Sequence, residues 1–390
     1  MDPTTTTLLF YGVVWVAIYI AGRVLKAERF GFVLSPAYFM YKTTALNNWI
    51  GSLAESKRGL WRALGNAGIA VGIGLMVFAV YQLGLNLYNL LFRVEVAASV
   101  QPVIPLPGLT ISWESFPYLI VAISLVLATH ELAHGVATRV DNVPLKSAGI
   151  FVAVVLFGGF VEPDEEKLEK APPETRLRVY AAGSFTNAVL GLLALLLFAN
   201  FAATMAPFYT TNYVGVQVAG LMPGYPAESA GIQAGDVIVG VNGISVHTVA
   251  DLQQAMMGVR PDSRITVSTL RGDFQVATKA DPKNASRGIM GVSPLRDFIT
   301  YTGKFPLLPE SLPYHLLRVE FWVSVVFISV AIINMMPLYL FDGDRFLENI
   351  LNALGVNRTK EIRWFATAIS LAILGLNFAF SILRFGFIKL

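Results

Sequence analysis

Two histidines and a glutamate with a spacing that can hold a metal ion lie in an apolar stretch of the chain. His130, Glu131 and His134 form an H-E-x-x-H pattern, and residues 118–129 before it are almost all apolar. On a helix, residues four apart share a face, so His130 and His134 can bind one metal ion. Glu131 lies beside that face and can act as base on a metal-bound water. The pattern therefore predicts water chemistry carried out inside a membrane.

The composition supports a membrane location. The chain has 390 residues, of which 55% are hydrophobic and 14% charged, whereas soluble chains average about 25% charged residues. A net charge of +3 gives no sign of a nucleic-acid partner. There are no cysteines, which excludes disulfides and thiolate ligands.

The third metal ligand is expected to be a carboxylate. A zinc ion that activates water takes three protein ligands and keeps one open position. The other two histidines, His247 and His315, fall in or next to a polar segment expected outside the membrane. Arg139 marks the inner end of the histidine helix, so His134 and His130 lie about 8 and 14 Å from that end. The missing ligand should be an acid at a similar inner depth.

Asp342 fits that depth. It follows Pro337, which is expected to end the fifth span, and lies in an irregular apolar stretch at the inner side. An intramembrane carboxylate is a functional candidate by default, and Gly343 allows the tight backbone of a ligand turn. Asp344 is the competing candidate, or else a solvated acid at the inner surface. We predict one zinc ion per chain.

Two amides are expected at the level of the metal. Asn187 lies about nine residues past Arg178, and so roughly 14 Å from the inner face. Its amide could form a hydrogen bond between helices or contact substrate, and both interpretations remain open. Asn334 has the same ambiguity, but its closeness to Asp342 favours a role in orienting substrate or the oxyanion.

Residues 149–161 are too few to cross the membrane twice as helices. They could form a β-hairpin that enters the membrane from inside and turns near Ala153–Leu156, or a plain interfacial loop. A free strand edge near the zinc could hold a substrate extended by strand addition. The acidic residues 162–166 are expected to be a solvated face.

Six spans can be drawn from hydropathy: roughly 7–25, 66–92, 117–139, 176–204, 318–337 and 363–387. The first is expected to be a span and not a cleaved signal peptide. Lys and Arg are concentrated in the loops after spans 1, 3 and 5, which places both termini outside and the active site near the cytoplasmic side. Residues 31–65 could be an interfacial amphipathic helix or a loop. Gly68 and Gly72 predict close helix packing.

A polar segment, residues 207–315, interrupts this pattern of spans. It contains a predicted helix over Val249–Met257 and four β-rich runs, at Val214–Val218, Val237–Val241, Arg264–Leu270 and Phe274–Thr278. These features predict a soluble domain outside the cell between spans 4 and 5. The predicted domains are residues 1–115 with spans 1 and 2, 116–206 with spans 3 and 4, 207–300 as the inserted domain, and 301–390 with spans 5 and 6.

The motifs together resemble the site-2-protease family of intramembrane zinc metalloproteases. Four segments carry the resemblance: His130–Gly135, Phe157–Val161, Gly183–Asn187 and Asn334-x-x-Pro337-x-x-x-x-Asp342-Gly343. The resemblance implies that His130, His134 and Asp342 bind zinc and that Glu131 activates the water. It also implies that Asn187, Asn334, Gly158 and Gly159 lie near substrate. The chain departs from the family at Ser184, where proline is frequent, and at Phe341, where leucine is frequent.

The insert resembles a PDZ domain over Ala219–Gly231 and Ala234–Gly243. Together with the hydropathy, the two resemblances predict a polytopic α-helical membrane protein with about six transmembrane helices and one inserted soluble PDZ-like α/β domain, of prokaryotic or archaeal type. If residues 149–161 form a hairpin and not a loop, the fold also includes a membrane re-entrant β-hairpin. The resemblance to the site-2-protease family implies regulated intramembrane proteolysis of single-span membrane proteins, after trimming by an upstream protease. The PDZ-like domain would bind peptide ends or filter substrates by bulk. The alternatives are a catalytically inactive PDZ scaffold and a divalent-metal transporter.

Overall fold

The computed structural model describes residues 3–153 and 156–387, with the side chains of 3–8, 153, 156 and 157 left aside. The chain divides into two compact units. The membrane unit comprises Met1–Ala199 and Leu317–Leu390, and the inserted unit comprises Asn200–Leu316.

The described helices, in chain order, are α1 (Pro3–Val24), α2 (Ala45–Ser56), α3 (Arg58–Phe92), α4 (Phe116–Val140), α5 (Glu165–Glu169), α6 (Pro173–Ala199), α7 (Phe201–Met205), α8 (Pro226–Ser229), α9 (Val249–Ala255), α10 (Leu312–Asn334), α11 (Asp342–Ala353) and α12 (Thr359–Phe385). Within the described ranges, five of them are long and apolar enough to cross a membrane: α3, α4, α6, α10 and α12. The apolar part of α1, Leu9–Val24, is shorter, so the first predicted span stays a prediction.

The strands of the membrane unit are β1 (Phe32–Leu34), β2 (Phe39–Thr43), β3 (Leu145–Ala153) and β4 (Leu156–Pro163). They form an antiparallel sheet in the order β1-β2-β3-β4. The predicted hairpin is β3–β4, paired from Leu145↔Pro163 to Ala153↔Leu156, while residues 154–155 of the predicted turn lie outside the described residues. The segment 31–65 contains the helix α2 and the first turns of α3, while a position of α2 at the membrane interface stays a prediction. It also contains β1 and β2, which were not predicted because they are so short.

Close packing of α3 against α6 and its neighbours depends on the two glycines that the sequence singled out. A Cβ added at Gly68 would lie 3.3 Å from Phe185, and one at Gly72 would lie 3.1 Å from Met335 and 3.4 Å from Ala181. Because these contacts leave almost no room for a side chain, the predicted small-residue packing of α3 is confirmed.

Two predictions about the end of α10 need correction. The helix ends at Asn334, earlier than the predicted end of the span, and the stretch that holds Asp342 is not irregular throughout: Asp342 is the first residue of α11. A helix forms here because acidic residues are favourable in a first helical turn and Asp342 and Asp344 both lie in it. Phe346 then anchors the helix, since it is fully buried.

The inserted unit contains the predicted β-rich runs as strands. Its strands are β5 (Tyr209–Val218), β6 (Val237–Val241), β7 (Ile244–Ser245), β8 (Arg264–Thr269), β9 (Gly272–Ala277), β10 (Lys279–Asp281), β11 (Asn284–Ile289) and β12 (Leu295–Gly303). The main sheet has the order β12-β5-β6-β8-β9, with β7 on β6, and β10 pairs with β11. The predicted helix is α9, whose start is fixed by a capping box between Thr248 and Asp251.

Buried apolar side chains of β5, β6 and β8 form the core of the inserted unit, including Val216, Ile238 and Ile265. The pairing of β12 with β5 was not predicted, since it joins residues about eighty positions apart that carry no local signal. The chain is thus a polytopic membrane protein with an inserted, sheet-rich domain.

Candidate metal centre

Three side chains bring one potential ligand atom each to a common point. His130 Nε2 lies 3.1 Å from His134 Nε2, and Asp342 Oδ2 lies 3.0 Å from His134 Nε2 and 3.2 Å from His130 Nε2. Their side chains are 8%, 13% and 21% exposed, respectively. In the described part of the chain, this is the one group of three or more His and acidic side chains within metal-binding reach of one another.

The triangle has the size that a tetrahedral zinc ion requires. Zinc binds nitrogen and oxygen ligands at about 2.0–2.2 Å, so two ligand atoms on one ion lie roughly 3.3 Å apart. Each side of the triangle is slightly shorter than that. Two imidazoles and one carboxylate are also a donor set found in catalytic zinc sites, which keep a fourth position for water or substrate.

A backbone carbonyl fixes the tautomer of His134. Its Nδ1 lies 2.7 Å from Val179 O, and since a carbonyl only accepts, Nδ1 carries the proton. Nε2 of a neutral His134 therefore presents its lone pair to Asp342 Oδ2, 3.0 Å away. Two facing acceptors repel each other, and a shared cation removes the repulsion. Val179 is thus an outer partner of the kind that orients zinc-bound histidines.

Asn187 provides the corresponding contact to His130. Its amide Nδ2 lies 2.9 Å from His130 Nδ1, and the side chain is fully buried on α6. Asn187 Oδ1 has no hydrogen-bond partner among the described residues. A His130 that binds metal through Nε2 carries its proton on Nδ1 and needs an acceptor there. Rotating the amide by 180° supplies that acceptor from the oxygen that is otherwise unbonded.

Gly183 lies directly against the two imidazoles. A Cβ added there would lie 2.4 Å from His130 Nε2 and 2.5 Å from His134 Nε2. Position 183, one turn before Asn187 on α6, therefore has no room for a side chain, because Nε2 of both histidines lies directly beside it.

Asn334 contacts two of the three potential ligand atoms. Its Nδ2 donates to Asp342 Oδ2 at 2.7 Å and lies 3.1 Å from His130 Nε2. The expected closeness of Asn334 and Asp342 is therefore present. Its role in substrate binding stays a prediction, because the amide contacts the triangle itself.

Gly343 allows a close backbone approach. An added Cβ would lie 2.3 Å from Met336 O and 2.4 Å from Met335 O. The sequence predicted that Gly343 serves a tight turn at the ligand. Its φ is not positive, so a left-handed backbone is not the reason for the glycine. The glycine is required because α11 starts directly against the carbonyls that follow α10.

Asp344 is not the solvated acid that the sequence allowed as its alternative role. It is 3% exposed, and Arg363 of α12 donates to both of its oxygens, at 2.9 and 2.5 Å. Its carboxylate is directed at Arg363, while Asp342 contributes the oxygen of the triangle.

Glu131 is held by the sheet. The backbone N–H of Val161 in β4 donates to Glu131 Oε2 at 2.9 Å. A Cβ on Gly159 would lie 3.0 Å from Glu131 Cγ, so β4 passes close to this side chain where it has a glycine.

The same contact shows which backbone groups of β4 face away from β3. In antiparallel pairing, residues alternate between bonding the partner strand and facing away from it. Since the N–H of Val161 bonds to Glu131, the N–H and C=O of Gly159 face the same way, and β4 is the last strand in the described order of this sheet.

A cavity of about 650 Å³ adjoins Glu131. It lies between α4 and the sheet, and its wall is mostly apolar, with contributions from Tyr41, Trp49, Leu127, Ile150 and Val161. A groove of this size and composition can accept an extended apolar segment of peptide.

Sequence reasoning missed the contacts that come from neighbouring elements. Val179 and Val161 act through backbone groups, for which side-chain type gives no signal. The glycines at 183 and 159 lay in motifs already noted, but the reason for each glycine is visible only from its neighbours.

Comparisons with known proteins agree with this geometry. Residues 118–376 match the family model described as peptidase family M50. The chain is 27% identical over 218 residues to an Arabidopsis thaliana protein named "Membrane-bound transcription factor site-2 protease homolog", covering 55% of this chain and 41% of that relative. An uncharacterized protein of Methanocaldococcus jannaschii is 22% identical over 345 residues, or 88% of this chain and 84% of its own length.

A Clostridium perfringens protein named as a candidate zinc metalloprotease is 26% identical over 163 residues, which cover 36% of this chain and 46% of that relative. This match and the one to the Arabidopsis protein span less than half of those relatives' lengths. The family model covers the stretch from α4 into α12, which includes every residue of the triangle. Zinc is the metal in the name of the Clostridium perfringens relative. The chain belongs to peptidase family M50, a family of membrane zinc metalloproteases.

Proposed function

We propose that this protein is an intramembrane zinc endopeptidase that hydrolyses peptide bonds within or next to the transmembrane segments of other membrane proteins. His130, His134 and Asp342 are the zinc ligands, and Glu131 is the general base. The single observation that carries the proposal is the triangle of ligand atoms beside a carboxylate held in place by a strand.

The residues have distinct tasks in this reaction. Bound zinc supplies a Lewis acid that lowers the pKa of water and polarises the scissile carbonyl. Glu131 accepts the proton of the attacking water and passes it to the leaving amine. The Val161 N–H keeps one oxygen of Glu131 occupied, which leaves the other oxygen for the proton. Asn187 and the Val179 carbonyl hold the imidazoles in the orientation that the metal needs.

Substrate binding is proposed to use β4. A helical peptide has its amides bonded internally, so it has to be extended before hydrolysis. The outward-facing N–H and C=O of Gly159 can pair with an extended substrate by strand addition, next to Glu131 and the apolar cavity. Gly158 and Gly159 then serve by letting the strand lie close to Phe151 and Glu131, since an added Cβ would lie 2.5 Å from the ring of the first and 3.0 Å from Cγ of the second.

The proposed topology has both termini and the inserted unit outside, with the active site near the cytoplasmic side. The asymmetric distribution of Lys and Arg between the predicted loops supports it. The substrates would be single-span membrane proteins, delivered after an upstream protease has trimmed them.

The inserted unit is proposed to be a PDZ-like module. A cavity of about 130 Å³ lies along α9, between Leu252 and Met256 on one side and the segment that includes Ile289 and Val292 on the other. Its apolar wall suits the side chain of a peptide end. The proposal predicts that the full chain binds peptides with a free carboxyl terminus, does not bind their amidated forms, and loses this binding in Met256→Arg. Weak binding that is equal for free and amidated peptides would favour a filter that acts by bulk.

Cleavage by the full chain, reconstituted in liposomes with a panel of single-span substrates, tests the proposed reaction. Glu131→Gln should retain zinc and lose cleavage, whereas Asp342→Asn should lose zinc. Glu166→Gln is the matched control, since this exposed acid forms its ion pair with Lys170 of the same segment, away from the triangle. Cleavage that persists in Glu131→Gln would refute the mechanism, and zinc-dependent transport without cleavage would identify a transporter instead.

A further inference from the structure

The position of the third ligand depends on a short segment between two helices. Asp342 opens α11, and the residue before it, Phe341, caps the helix with no side-chain hydrogen bond. The backbone from Met335 to Phe341 joins this ligand to α10 without being part of a regular element. Whatever holds this segment therefore sets where the Asp342 carboxylate lies relative to the two histidines.

α12 holds the segment after the ligand through an ion pair. Arg363 Nε donates to Asp344 Oδ1 at 2.9 Å and its second nitrogen to Oδ2 at 2.5 Å. Asp344 is 3% exposed, and the Arg363 side chain is 17% exposed. A two-pronged guanidinium–carboxylate pair fixes direction as well as distance. It thus restrains both the depth and the rotation of the first turn of α11.

α12 also holds the segment before the ligand. Thr367, one turn after Arg363, donates from Oγ1 to Pro337 O at 3.2 Å, and the bond is buried. The Tyr339 ring stacks on Trp364, with 6.1 Å between centroids and 10° between planes. Residues four apart on a helix share a face, so one face of α12 contacts the chain on both sides of Asp342.

We propose that Arg363 and Thr367 are positioning residues for the metal centre, and that α12 fixes the Asp342 carboxylate at ligand distance through them. Neither residue touches the ligand atoms. The inference rests on the proposed role of Asp342 as a zinc ligand. It assigns to the last membrane helix a role that its own sequence, which carries none of the family motifs, does not suggest.

The plain structural alternative is that the ion pair only joins α11 to α12. The two readings differ in what a variant changes. A positioning residue alters the affinity for zinc even when the metal-free chain remains as stable as the wild type. A joint between helices alters the stability of the metal-free chain and leaves the affinity of the folded protein unchanged.

The test measures the zinc affinity of the purified full chain by competition with a chromogenic chelator of known affinity. Arg363→Lys keeps the charge and loses the fork, and Arg363→Gln loses both. We expect the affinity to fall about tenfold in Arg363→Gln and Asp344→Asn, the lower end of the range for outer partners of metal ligands. Arg363→Lys should be intermediate. The affinity for zinc should fall by less in Thr367→Val, and this loss should add to that caused by breaking the ion pair.

Glu348→Gln is the matched control. Glu348 contacts the same guanidinium from the next turn of α11, but it lies farther from the ligand and should leave the affinity unchanged. Combining Arg363→Gln with Asp344→Asn should lower the affinity for zinc no further than either change alone, because both remove the same contact. Substituted cobalt provides a second readout, since its visible spectrum changes with the position of the carboxylate.

Thermal unfolding of the metal-free chain completes the test. Wild-type affinity in Arg363→Lys, Asp344→Asn and Thr367→Val would overturn the proposal. So would a fall in affinity that is matched by an equal loss of metal-free stability. If Arg363→Gln fails to fold, the lysine and Thr367→Val variants decide. A wild-type chain that binds no zinc would instead refute the proposed function.

Discussion

The backbone N–H of Val161 donates to Glu131 Oε2 at 2.9 Å. This one contact joins the proposed base on α4 to the edge of the sheet on which an extended substrate would lie. The strand that would hold the substrate thereby also orients the carboxylate that acts on it, so the two cannot shift independently.

Replacing Val161 with proline removes that N–H. The donor does not take part in the pairing of β4 with β3, so the sheet should tolerate proline at this edge position. A hydrogen bond to a charged group contributes about 1.5–3 kcal/mol, and cleavage should therefore slow by roughly 10–100-fold with zinc content unchanged. Val161→Ala, which keeps the N–H, is the control. A proline variant as active as the alanine variant would show that the contact is dispensable.

Gly183→Ala should eliminate zinc binding. The added methyl would lie 2.4 and 2.5 Å from the two Nε2 atoms, so the imidazoles must move apart. Zinc per chain, measured by elemental analysis, should fall close to zero, and cleavage should be lost with it. Gly74→Ala is the control within a membrane helix, because its Cβ meets nothing within 4 Å. Full zinc content in Gly183→Ala would contradict the proposed ligand geometry.

Asn187→Ala should weaken zinc binding without removing a ligand. Loss of an outer partner of a metal-bound histidine typically lowers affinity 10–100-fold, and chelator competition can measure the change. Ser184→Ala, one turn away, removes a buried hydroxyl with no hydrogen-bond partner in the described structure and should have no such effect. An unchanged affinity in Asn187→Ala, with slower cleavage, would instead favour a contact with substrate.

The inserted unit should lose stability in acid through Asp236. Hydrogen bonding to Arg271, at 2.6 Å, lowers the pKa of the Asp236 carboxyl, and the Gln233 N–H adds to the effect. A lowered folded-state pKa gives stability that is complete above the unfolded value of about 3.9 and is lost as the pH falls through the folded value. Asp236→Asn should therefore destabilise this unit by about 1 kcal/mol near pH 6 and much less near pH 3.

Hydrogen exchange of β6 amides in the detergent-solubilised full chain can follow this difference. Asp273→Asn, a change at an exposed acid of the same unit, controls for the removal of charge alone. A penalty for Asp236→Asn that is equal at both pH values would show that packing, and not the ion pair, supplies the stability.

The sequence could predict which three residues form the triangle because residue type, helical spacing and membrane depth can each be read from it. His130 and His134 share a helix face by spacing alone. Asp342 was selected by depth and by the short supply of other candidates. The strands β6 and β8 followed from runs of β-branched residues, which pack well on a half-buried sheet.

The remaining features could not be predicted because they depend on how separate elements pack. Arg363 lies 19 residues from Asp344, and nothing in either residue's neighbourhood indicates the pair. The Glu131–Val161 contact depends on the rotation of β4 relative to α4. Similarly, α11 was missed because Pro337 was expected to be followed by irregular backbone at Asp342, whereas the buried side chain of Phe346 holds this segment as a helix.

The triangle joins residues that the ribosome makes at very different times. His134 and Asp342 are 208 positions apart, and the whole inserted unit is synthesised between them. At a translation rate of roughly 5–20 residues per second, about 10–40 s separate the two ligands. The two histidines therefore enter the membrane well before the carboxylate that completes their site. If the three residues hold zinc as proposed, the site stays incomplete, and the chain cannot act on neighbouring membrane proteins, until the segment that carries Asp342 has been made.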